Sequence, residues 1–418
     1  MSFVGVQAQA PTPSPATQNN ITEYKLSPEL HVKAHTLNRL YFRHRLINFG
    51  YGLVVLLGLL FFKVGPRFRS IAERVSRRLI VQSLVFTPLI VLTLSLFQLP
   101  LDAYIHSVSV QYGLSIQGWP SWLWDWTKEQ LLVVLASSFF VWLLYLMIRK
   151  SPRRWWFYFW LASLPVALFI VFIFPFVIDP LFNKFEPLAQ KDPALATSLA
   201  KLAQHAGEDI PEDRMFWMQA GEKTTTLNAY VTGFGASKRI VVWDTTIKKM
   251  TTPQIVFVAG HETGHYVLNH VPKGLLLSSI SSLLAFYFAF LALRWMVRSF
   301  GERFGVRSLN DLSSLPLMLL LLSILVFVSN PIANAVSRYF EHQADQYALE
   351  ITHGLTPGSA QIGAQSFQVL GEVGLSDPDP DWLNVFLFYT HPPVRDRVRF
   401  CLEYDPWSKG ESTEFVKP

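Results

Sequence analysis

The residues with the clearest chemical potential are two histidines and a glutamate in an H-E-x-x-H motif, His261, Glu262 and His265. On a helix, residues four apart lie on one face, about one turn from each other. Two imidazoles at that spacing can bind one Zn²⁺, and the glutamate can take a proton from a water molecule beside the metal. Thr252 and Pro253 are typical of a helix start, so the sequence predicts a helix that begins there and carries the motif.

The flanks of the motif are largely apolar. Val256, Val258 and Ala259 precede it, and Val267 and Leu268 follow it. A surface helix with scattered polar residues is the alternative interpretation. Buried ionisable groups are unfavourable unless they are paired or bind a metal. The apolar flanks therefore favour a metal site.

Composition indicates a membrane protein. Of 418 residues, 50% are hydrophobic and 16% are charged, and the mean hydropathy is +0.27. A soluble domain carries about 25% charged residues. The net charge is +6, but the basic residues cluster between apolar stretches as membrane-flanking loops do, and no nucleic-acid-binding motif is present. Cys401 is the single cysteine, which excludes an intrachain disulfide, and no paired base suggests a catalytic thiol.

Six apolar stretches approach the length of about 20 residues that a membrane helix needs. They cover residues 46–62, 79–99, 131–147, 155–178, 275–293 and 315–336. The predicted fold is mainly α, a multi-pass membrane helix bundle around a metallopeptidase core.

Three regions are predicted along the chain. Residues 1–40 form a disordered N-terminal tail, because its first thirty residues are rich in Pro, Thr, Gln, Ser and Ala. Residues 41–179 form a membrane region with four spans. Residues 180–418 form the metallopeptidase domain with two further spans.

The loops carry a charge signal for orientation. Residues 63–78 and 149–154 are strongly basic, and the positive-inside rule puts both in the cytoplasm and the region after residue 178 outside. Residues 102–128 are predicted to be a loop whose tryptophans lie at the membrane–water interface.

Residues 180–250 are polar and read as a small soluble insert. A helix is predicted at residues 193–206, and strands at residues 214–219, 230–234 and 239–243. Residues 235–238 are predicted to turn a hairpin between the last two strands. The motif helix follows within about ten residues of the last strand.

Catalytic zinc usually takes three protein ligands, so one ligand is missing from the motif. Glu341 and Asp345 lie one helical turn apart at the end of the sixth apolar stretch. Two solvated carboxylates at a helix end are the alternative, and His342 is a rival ligand that points about 100° away from Glu341. We favour Glu341 as the ligand and Asp345 as a carboxylate that orients a ligand histidine.

Several blocks of sequence together resemble one known family, the type 1 CAAX prenyl proteases, which are integral-membrane zinc metallopeptidases of the gluzincin kind. The blocks are Asp179-Pro180-Leu181-Phe182-Asn183-Lys184-Phe185, Asn228-Ala229-Tyr230, Lys238-Arg239-Ile240-Val241, the H-E-x-G-H helix, Ser337-Arg338 through Asp345, and His391-Pro392-Pro393 with Arg397. They occur in the family's order, and the resemblance covers most of the chain.

The resemblance implies one Zn²⁺ per chain, held by His261, His265 and Glu341. It implies that Glu262 is the general base. It also implies a small sheet beside the cleft, with Asn228-Ala229-Tyr230 on an edge strand. An extended peptide could add to such an edge by main-chain hydrogen bonds.

The same resemblance brings His391 and Arg397 near the metal, where His391, or alternatively Arg397, would contact the tetrahedral intermediate. Arg395 and Arg399 are close in sequence and leave the choice of arginine open.

The chain also departs from the family. Eukaryotic members have seven spans around a large intramembrane chamber, whereas this chain lacks the first span and an acidic insert before the catalytic helix, which implies a less closed chamber. The family has its catalytic region on the cytoplasmic side, against the loop-charge signal. We follow the family, because arginines flank the first span on both sides: Arg43 and Arg45, then Arg67 and Arg69.

The sequence therefore predicts a membrane-embedded zinc metalloendopeptidase that resembles CAAX prenyl proteases. Its expected partners are the lipid bilayer and a peptide or protein substrate, which the resemblance implies can be prenylated or membrane-embedded. A heat-shock-type quality-control metalloprotease is the alternative, since it has the same motif. A proton-coupled transporter is a remote alternative, because intramembrane Glu and His occur there but a complete water-activating motif has no evident purpose.

Overall fold

The computed structural model describes residues 20–417, which form fifteen α-helices and four β-strands. The helices are α1 (Pro28–Phe61), α2 (Val64–Val75), α3 (Leu79–Gln111), α4 (Trp119–Lys150), α5 (Trp155–Phe172), α6 (Phe174–Val177), α7 (Leu188–Lys191), α8 (Pro193–His205), α9 (Asp244–Lys249), α10 (Thr252–Val267), α11 (His270–Phe304), α12 (Leu315–Thr352), α13 (Ser359–Val373), α14 (Trp382–Phe388) and α15 (Val394–Glu403). The strands are β1 (Phe185–Pro187), β2 (Met215–Met218), β3 (Ala229–Thr232) and β4 (Arg239–Trp243).

Six helices are long and apolar enough to cross a membrane: α1, α3, α4, α5, α11 and α12. This confirms the predicted multi-pass helix bundle. Most of these helices extend beyond the predicted apolar stretches. The 38 residues of α12 span about 57 Å at 1.5 Å per residue, which is more than the hydrocarbon thickness of about 30 Å. The polar last turns of α12 therefore continue past the apolar segment, and they carry Glu341 and Asp345.

The disordered region predicted for residues 1–40 does not extend to residue 40. Helix α1 begins at Pro28, where the side chain of Ser27 accepts a hydrogen bond from the main-chain N–H of Leu30 at 3.3 Å. Residues 28–40 are therefore helical rather than part of a disordered tail. Residues 1–19 of that tail lie outside the described residues.

The tryptophan-rich stretch is not the long loop that was predicted. Helices α3 and α4 extend into it from both sides, and only residues 112–118 connect them. Trp119 and Trp122 pack around the ring of His106, with centroids 4.8 Å and 5.1 Å away. Residues that favour the membrane interface do not by themselves end a helix. The break comes at Gly113, whose φ is +76°, a conformation that glycine adopts without steric penalty.

A four-stranded sheet lies beside the motif helix α10, in the order β1-β2-β4-β3. Strands β3 and β4 are antiparallel, with Tyr230 opposite Val241, which confirms the predicted hairpin. Strand β3 is at the edge of the sheet and packs near α10. The chain leaves β4 through α9 and enters α10, so the hairpin and the motif helix are joined by a short connection.

Helix α10 begins at Thr252, and the main-chain N–H of Thr251 donates to the side chain of Gln254 at 2.9 Å. One face of the helix packs in a core shared with α8, the sheet and α12, which includes Leu199, Ile240 and Tyr347. This core fixes the motif helix between the sheet and the last turns of α12.

Two glycines let α10 and α12 approach closely. A Cβ atom at Gly264 would lie 2.9 Å from Cδ1 of Tyr347, and one at Gly260 would lie 3.2 Å from a methyl group of Ile351. Carbon atoms normally pack about 3.5–4.0 Å apart. The absence of a side chain at Gly264, inside the H-E-x-G-H motif, therefore brings the motif against the helix that carries Glu341.

Candidate metal centre

Three side chains on two helices converge at one point. His261 and His265 come from α10 and Glu341 comes from α12, and one possible ligand atom from each lies within 4.8 Å of the others. The Nε2 atoms of the two histidines are 3.2 Å apart. The carboxylate oxygens of Glu341 lie 3.2 Å from Nε2 of His261 and 3.5 Å from Nε2 of His265. The structure thus brings together the three predicted ligands.

The chemistry of these donors fits a bound cation. Among the described residues, Oε2 of Glu341 is buried and has no hydrogen-bond partner of good geometry. Two imidazole nitrogens and a carboxylate facing one another are electron-rich atoms, and burial makes their mutual repulsion unfavourable unless a positive charge lies between them. A set of two histidines and one glutamate is also a known catalytic zinc set.

Asp345 holds His261 from the side opposite the donor set. Its Oδ1 lies 2.8 Å from Nδ1 of His261, so a proton on Nδ1 is bound by the carboxylate and Nε2 is left as the free nitrogen. Arg397 in turn donates to both oxygens of Asp345, at 2.8 Å and 2.6 Å. Such outer partners fix the tautomer and ring orientation of a metal-binding histidine.

Burial acts on each ionisable group of α10. It lowers the pKa of His265, with help from His261, to about 3, so this imidazole is neutral and can offer a lone pair. Burial also lowers the pKa of His261, but the carboxylates of Asp345 and Glu341 outweigh it and raise that pKa to about 9. A cation that binds Nε2 of His261 would therefore take the place of a proton on that atom. For Glu262, burial is the main cause that raises the pKa of the carboxyl group to about 7.

Glu262 lies beside the donor set at a cavity of about 160 Å³. The lining also includes His261, Phe257, His391 and Arg397. A small polar group that entered this cavity would meet the Glu262 carboxylate beside His261, one of the three convergent donors.

The edge strand contributes unequally to the cavity. Asn228 and Ala229 line it, whereas the side chain of Tyr230 points to the other face of the sheet, as strand alternation requires. There the Tyr230 hydroxyl contacts Asp179, and burial, followed by that carboxylate, raises the pKa of Tyr230 to about 12. Tyr230 can therefore contribute main-chain groups to the cleft, while its side chain contacts the Asp179 block.

His391 approaches the donor set from the loop before α15. Its Nε2 lies 3.3 Å from Oε2 of Glu341, and its side chain remains 57% exposed. Of the three neighbouring arginines, Arg397 lies at the centre with its side chain 11% exposed, while Arg395 pairs with the exposed Asp379 and Arg399 with Asp396. The structure thus assigns Arg397, rather than its neighbours, to the site.

The rival ligand His342 lies outside the donor set. It is exposed and packs against Phe400, with ring centroids 4.3 Å apart. Sequence reasoning missed two other residues. Nδ1 of His270 lies 3.0 Å from Nδ1 of His265, and Nε2 of His270 lies 3.2 Å from Oε1 of Gln343. The available signal was a histidine five positions after His265 and a glutamine two positions after Glu341.

Two family descriptions match the chain. A profile of Peptidase family M48 matches residues 189–404. A profile described as CAAX prenyl protease N-terminal, five membrane helices, matches residues 12–184, a region that holds four of the candidate spans of this chain.

Individual proteins are similar over most of their length. "Uncharacterized metalloprotease YhfN" of Bacillus subtilis is 39% identical over 319 residues, which is 76% of this chain and 73% of the relative. "CAAX prenyl protease 1" of Saccharomyces cerevisiae is 28% identical over 340 residues, 78% of this chain and 73% of the relative. The crystal structure of S. mikatae Ste24p has a TM-score of 0.79 at 26% identity and covers 93% of both chains.

Proposed function

The chain belongs to peptidase family M48 and is a multi-pass membrane metalloprotease that resembles CAAX prenyl proteases, and we propose that its metal is Zn²⁺, held by His261, His265 and Glu341. The observation that carries this proposal is the convergence of those three donors within 4.8 Å. When bound there, Zn²⁺ would lower the pKa of a water molecule and polarise a substrate carbonyl.

Glu262 is the proposed general base. It lines the same cavity as the donor His261, and its side chain can accept a proton from the attacking water and then give it to the leaving amine. The raised pKa of its carboxyl group, about 7, suits a group that must both take up and release a proton near neutral pH.

His391 and Arg397 have different proposed roles. Oγ1 of Thr390 lies 2.9 Å from Nδ1 of His391. If the Thr390 hydroxyl donates, the imidazole proton lies on Nε2, which then faces the site as a donor for developing negative charge. Arg397 lines the cavity but is bound to both oxygens of Asp345, so its first effect is to hold the Asp345–His261 pair.

The substrate is proposed to bind as an added strand along β3, beside Asn228, Ala229 and Tyr230. In support, β3 is at the sheet edge, and Asn228 and Ala229 line the cavity with Glu262. Main-chain hydrogen bonds at such an edge would bind an extended peptide regardless of its side chains. Similarity to CAAX prenyl proteases supports a prenylated peptide as the substrate class.

The test is cleavage of a farnesylated CAAX peptide by the purified full chain in detergent. We expect cleavage that a zinc chelator abolishes and that Glu262→Gln reduces by about 10²–10⁴-fold while zinc stays bound. A Glu262→Gln variant with most of its activity would contradict the mechanism. Cleavage of an unprenylated membrane protein, with none of the farnesylated peptide, would favour the quality-control alternative.

The catalytic region is proposed to face the cytoplasm, as the resemblance implies. Because Cys401 is buried, single cysteines can report the side of the membrane. Lys409 lies in the catalytic region, and Arg153 lies in a loop at the opposite end of the bundle. The two test variants, Lys409→Cys and Arg153→Cys, each add one cysteine at one of these positions. With a membrane-impermeant maleimide on intact cells, we expect labelling at position 153 but not at 409 until the membrane is permeabilised. The reverse pattern would show the opposite orientation, as the basic loops predict.

A further inference from the structure

A chain of polar contacts runs from His265 away from the donor set. Nδ1 of His265 lies 3.0 Å from Nδ1 of His270. Nε2 of His270 lies 3.2 Å from Oε1 of Gln343, and the Gln343 amide nitrogen donates to the Tyr339 hydroxyl at 3.3 Å. The contacts of the two histidines therefore lead to the side-chain amide of Gln343 on α12, the helix that also carries Glu341.

The position of each proton in this chain follows from the last acceptor. The carbonyl oxygen of Gln343 can only accept, so Nε2 of His270 must carry a proton. A neutral imidazole has one N–H, which leaves Nδ1 of His270 as an acceptor. The hydrogen bond between the two histidines then requires the proton of His265 to lie on Nδ1. Nε2 of His265 is consequently left with a free lone pair, and this is the atom that faces His261 and Glu341.

We propose that His270 and Gln343 are positioning residues that hold His265 in the tautomer able to bind the metal. This inference rests on the proposed metal centre and assigns to His270 the role for His265 that Asp345 has for His261. The two ligand histidines would thus be held differently, one by a carboxylate and one by a neutral imidazole.

The surroundings restrict His270 to this position. Asn269 has a left-handed backbone, with φ of +57°, which ends α10 and turns the next residue back toward the motif. His270 is 4% exposed. Its ring stacks on Phe340 at 4.4 Å with an angle of 8° between the planes. A ring held on one face by stacking and at both nitrogens by hydrogen bonds has little freedom to turn.

The opposite proton arrangement is self-consistent but would block the site. If the Gln343 amide were turned, its nitrogen would donate to Nε2 of His270, and Nδ1 of His270 would donate to His265. The proton of His265 would then lie on Nε2 and point at the donor set. In the structure the Gln343 amide nitrogen donates to Tyr339 and its carbonyl oxygen faces His270, which is the arrangement that leaves Nε2 of His265 free.

The test measures Zn²⁺ affinity of the purified full chain by competition with a chelator. His270→Leu removes the acceptor for His265, and we expect affinity to fall by about 10–100-fold. His270→Asn keeps an oxygen acceptor on a short side chain and should recover most of that loss. Gln343→Glu keeps a hydrogen-bond acceptor toward His270, so its Zn²⁺ affinity should stay within about threefold of the parent. Gln343→Leu has no acceptor there and should lose Zn²⁺ affinity.

A spectroscopic measurement separates positioning from general damage. With Co²⁺ in place of Zn²⁺ at saturating concentration, the visible absorption spectrum should change in His270→Leu and return toward that of the parent in His270→Asn. His342→Leu is the matched control, since this neighbouring histidine is exposed and outside the chain of contacts, and it should change neither affinity nor spectrum.

Two controls separate failure of this inference from failure of the metal centre. His265→Ala and Glu341→Ala should lose metal binding. If they do and His270→Leu keeps the parent affinity and spectrum, the positioning role is refuted while the metal centre stands. If the Zn²⁺ affinity of His270→Asn falls as far as that of His270→Leu, a hydrogen-bond acceptor at position 270 does not hold His265, and the proposal is also overturned. If His265→Ala and Glu341→Ala keep parent affinity, the metal centre itself is wrong.

Discussion

The packing of α10 on α12 predicts how the chain should respond to alanine at three glycines. At Gly264, a Cβ atom would lie 2.9, 3.1 and 3.2 Å from three atoms of Tyr347, a side chain that is 2% exposed and has no room to move. At Gly260, the nearest atom is a methyl group of Ile351 at 3.2 Å. At Gly274, on α11, nothing lies within 4 Å.

The magnitudes follow from two opposing effects. Alanine stabilises a helix interior by about 1 kcal/mol relative to glycine. Overpacking a core costs about 1–3 kcal/mol, and Gly264→Ala should be at the upper end because the helices must separate by about 0.6 Å or more to reach normal carbon contacts. The free energy of unfolding should therefore fall by about 1–2 kcal/mol for Gly264→Ala, stay nearly constant for Gly260→Ala, and rise by up to about 1 kcal/mol for Gly274→Ala.

The same displacement should reach the metal centre. Helix α10 carries His261, Glu262 and His265, and α12 carries Glu341, so separation of the helices moves the third ligand away from the other two. A displacement of about 1 Å at a catalytic group can reduce the rate by about 10²-fold. Gly264→Ala should therefore lose peptidase activity and Zn²⁺ affinity beyond what its stability change explains.

The assay is thermal unfolding in detergent, together with Zn²⁺ competition and peptide cleavage, on the three single variants. We expect Gly264→Ala to lose stability, Zn²⁺ affinity and activity. Gly260→Ala should change stability little, and Gly274→Ala should gain a small amount of stability. If Gly264→Ala behaved like Gly274→Ala in all three measurements, the close approach of α10 and α12 would be wrong, and with it the account of how Glu341 reaches the motif.

Three further predictions concern single side chains. Arg397→Met removes the permanently charged partner of the buried Asp345 and leaves it only His261, so the free energy of unfolding should fall by about 3–5 kcal/mol. Arg395→Met removes an exposed pair and should change stability by less than about 1 kcal/mol; thermal unfolding of both variants checks this. His391→Ala should lower kcat by about 10²–10³-fold with the zinc content unchanged. A rise in KM alone would contradict the proposal that His391 stabilises the negative charge that develops on the substrate during the reaction. Glu350 accepts hydrogen bonds from three main-chain N–H groups of the C-terminal segment, at 3.1 Å, 2.7 Å and 2.8 Å. Glu350→Ala should therefore release that segment to limited proteolysis, and an equally protected segment would contradict this prediction.

The motif helix could be predicted because its signals are local. His261, Glu262 and His265 define their own geometry through helical spacing, and the residues around position 252 begin the helix where expected. The hairpin before it was readable for the same reason, since two apolar runs with a short glycine-containing turn are a short-range pattern.

The partners of that helix depend on long-range packing. Glu341 and Asp345 carry the spacing of a helical pair, but their contact with α10 depends on the close approach at Gly264, which spacing alone does not reveal. The choice among three arginines was open for the same reason: only the fold shows that Arg397 pairs with the buried Asp345 while Arg395 pairs at the surface.

His270 shows a further limit of pattern reasoning. It lies five residues after His265, and an unbroken helix would turn it away from the second ligand by about 140°. The left-handed backbone at Asn269 breaks the helix and returns the ring to the site. Asparagine is one of the residues that adopts this conformation most readily, so the break has a signal, but its direction depends on the packing of α11.

The most direct test of the central claim is the metal content of the purified chain. We expect about one Zn²⁺ per chain, measured by elemental analysis after exhaustive dialysis. Glu262→Gln should keep that zinc and lose peptidase activity, and His265→Ala and Glu341→Ala should lose both. A parent protein that cleaves peptide without bound metal, or variants at His265 and Glu341 that retain full zinc, would contradict the account.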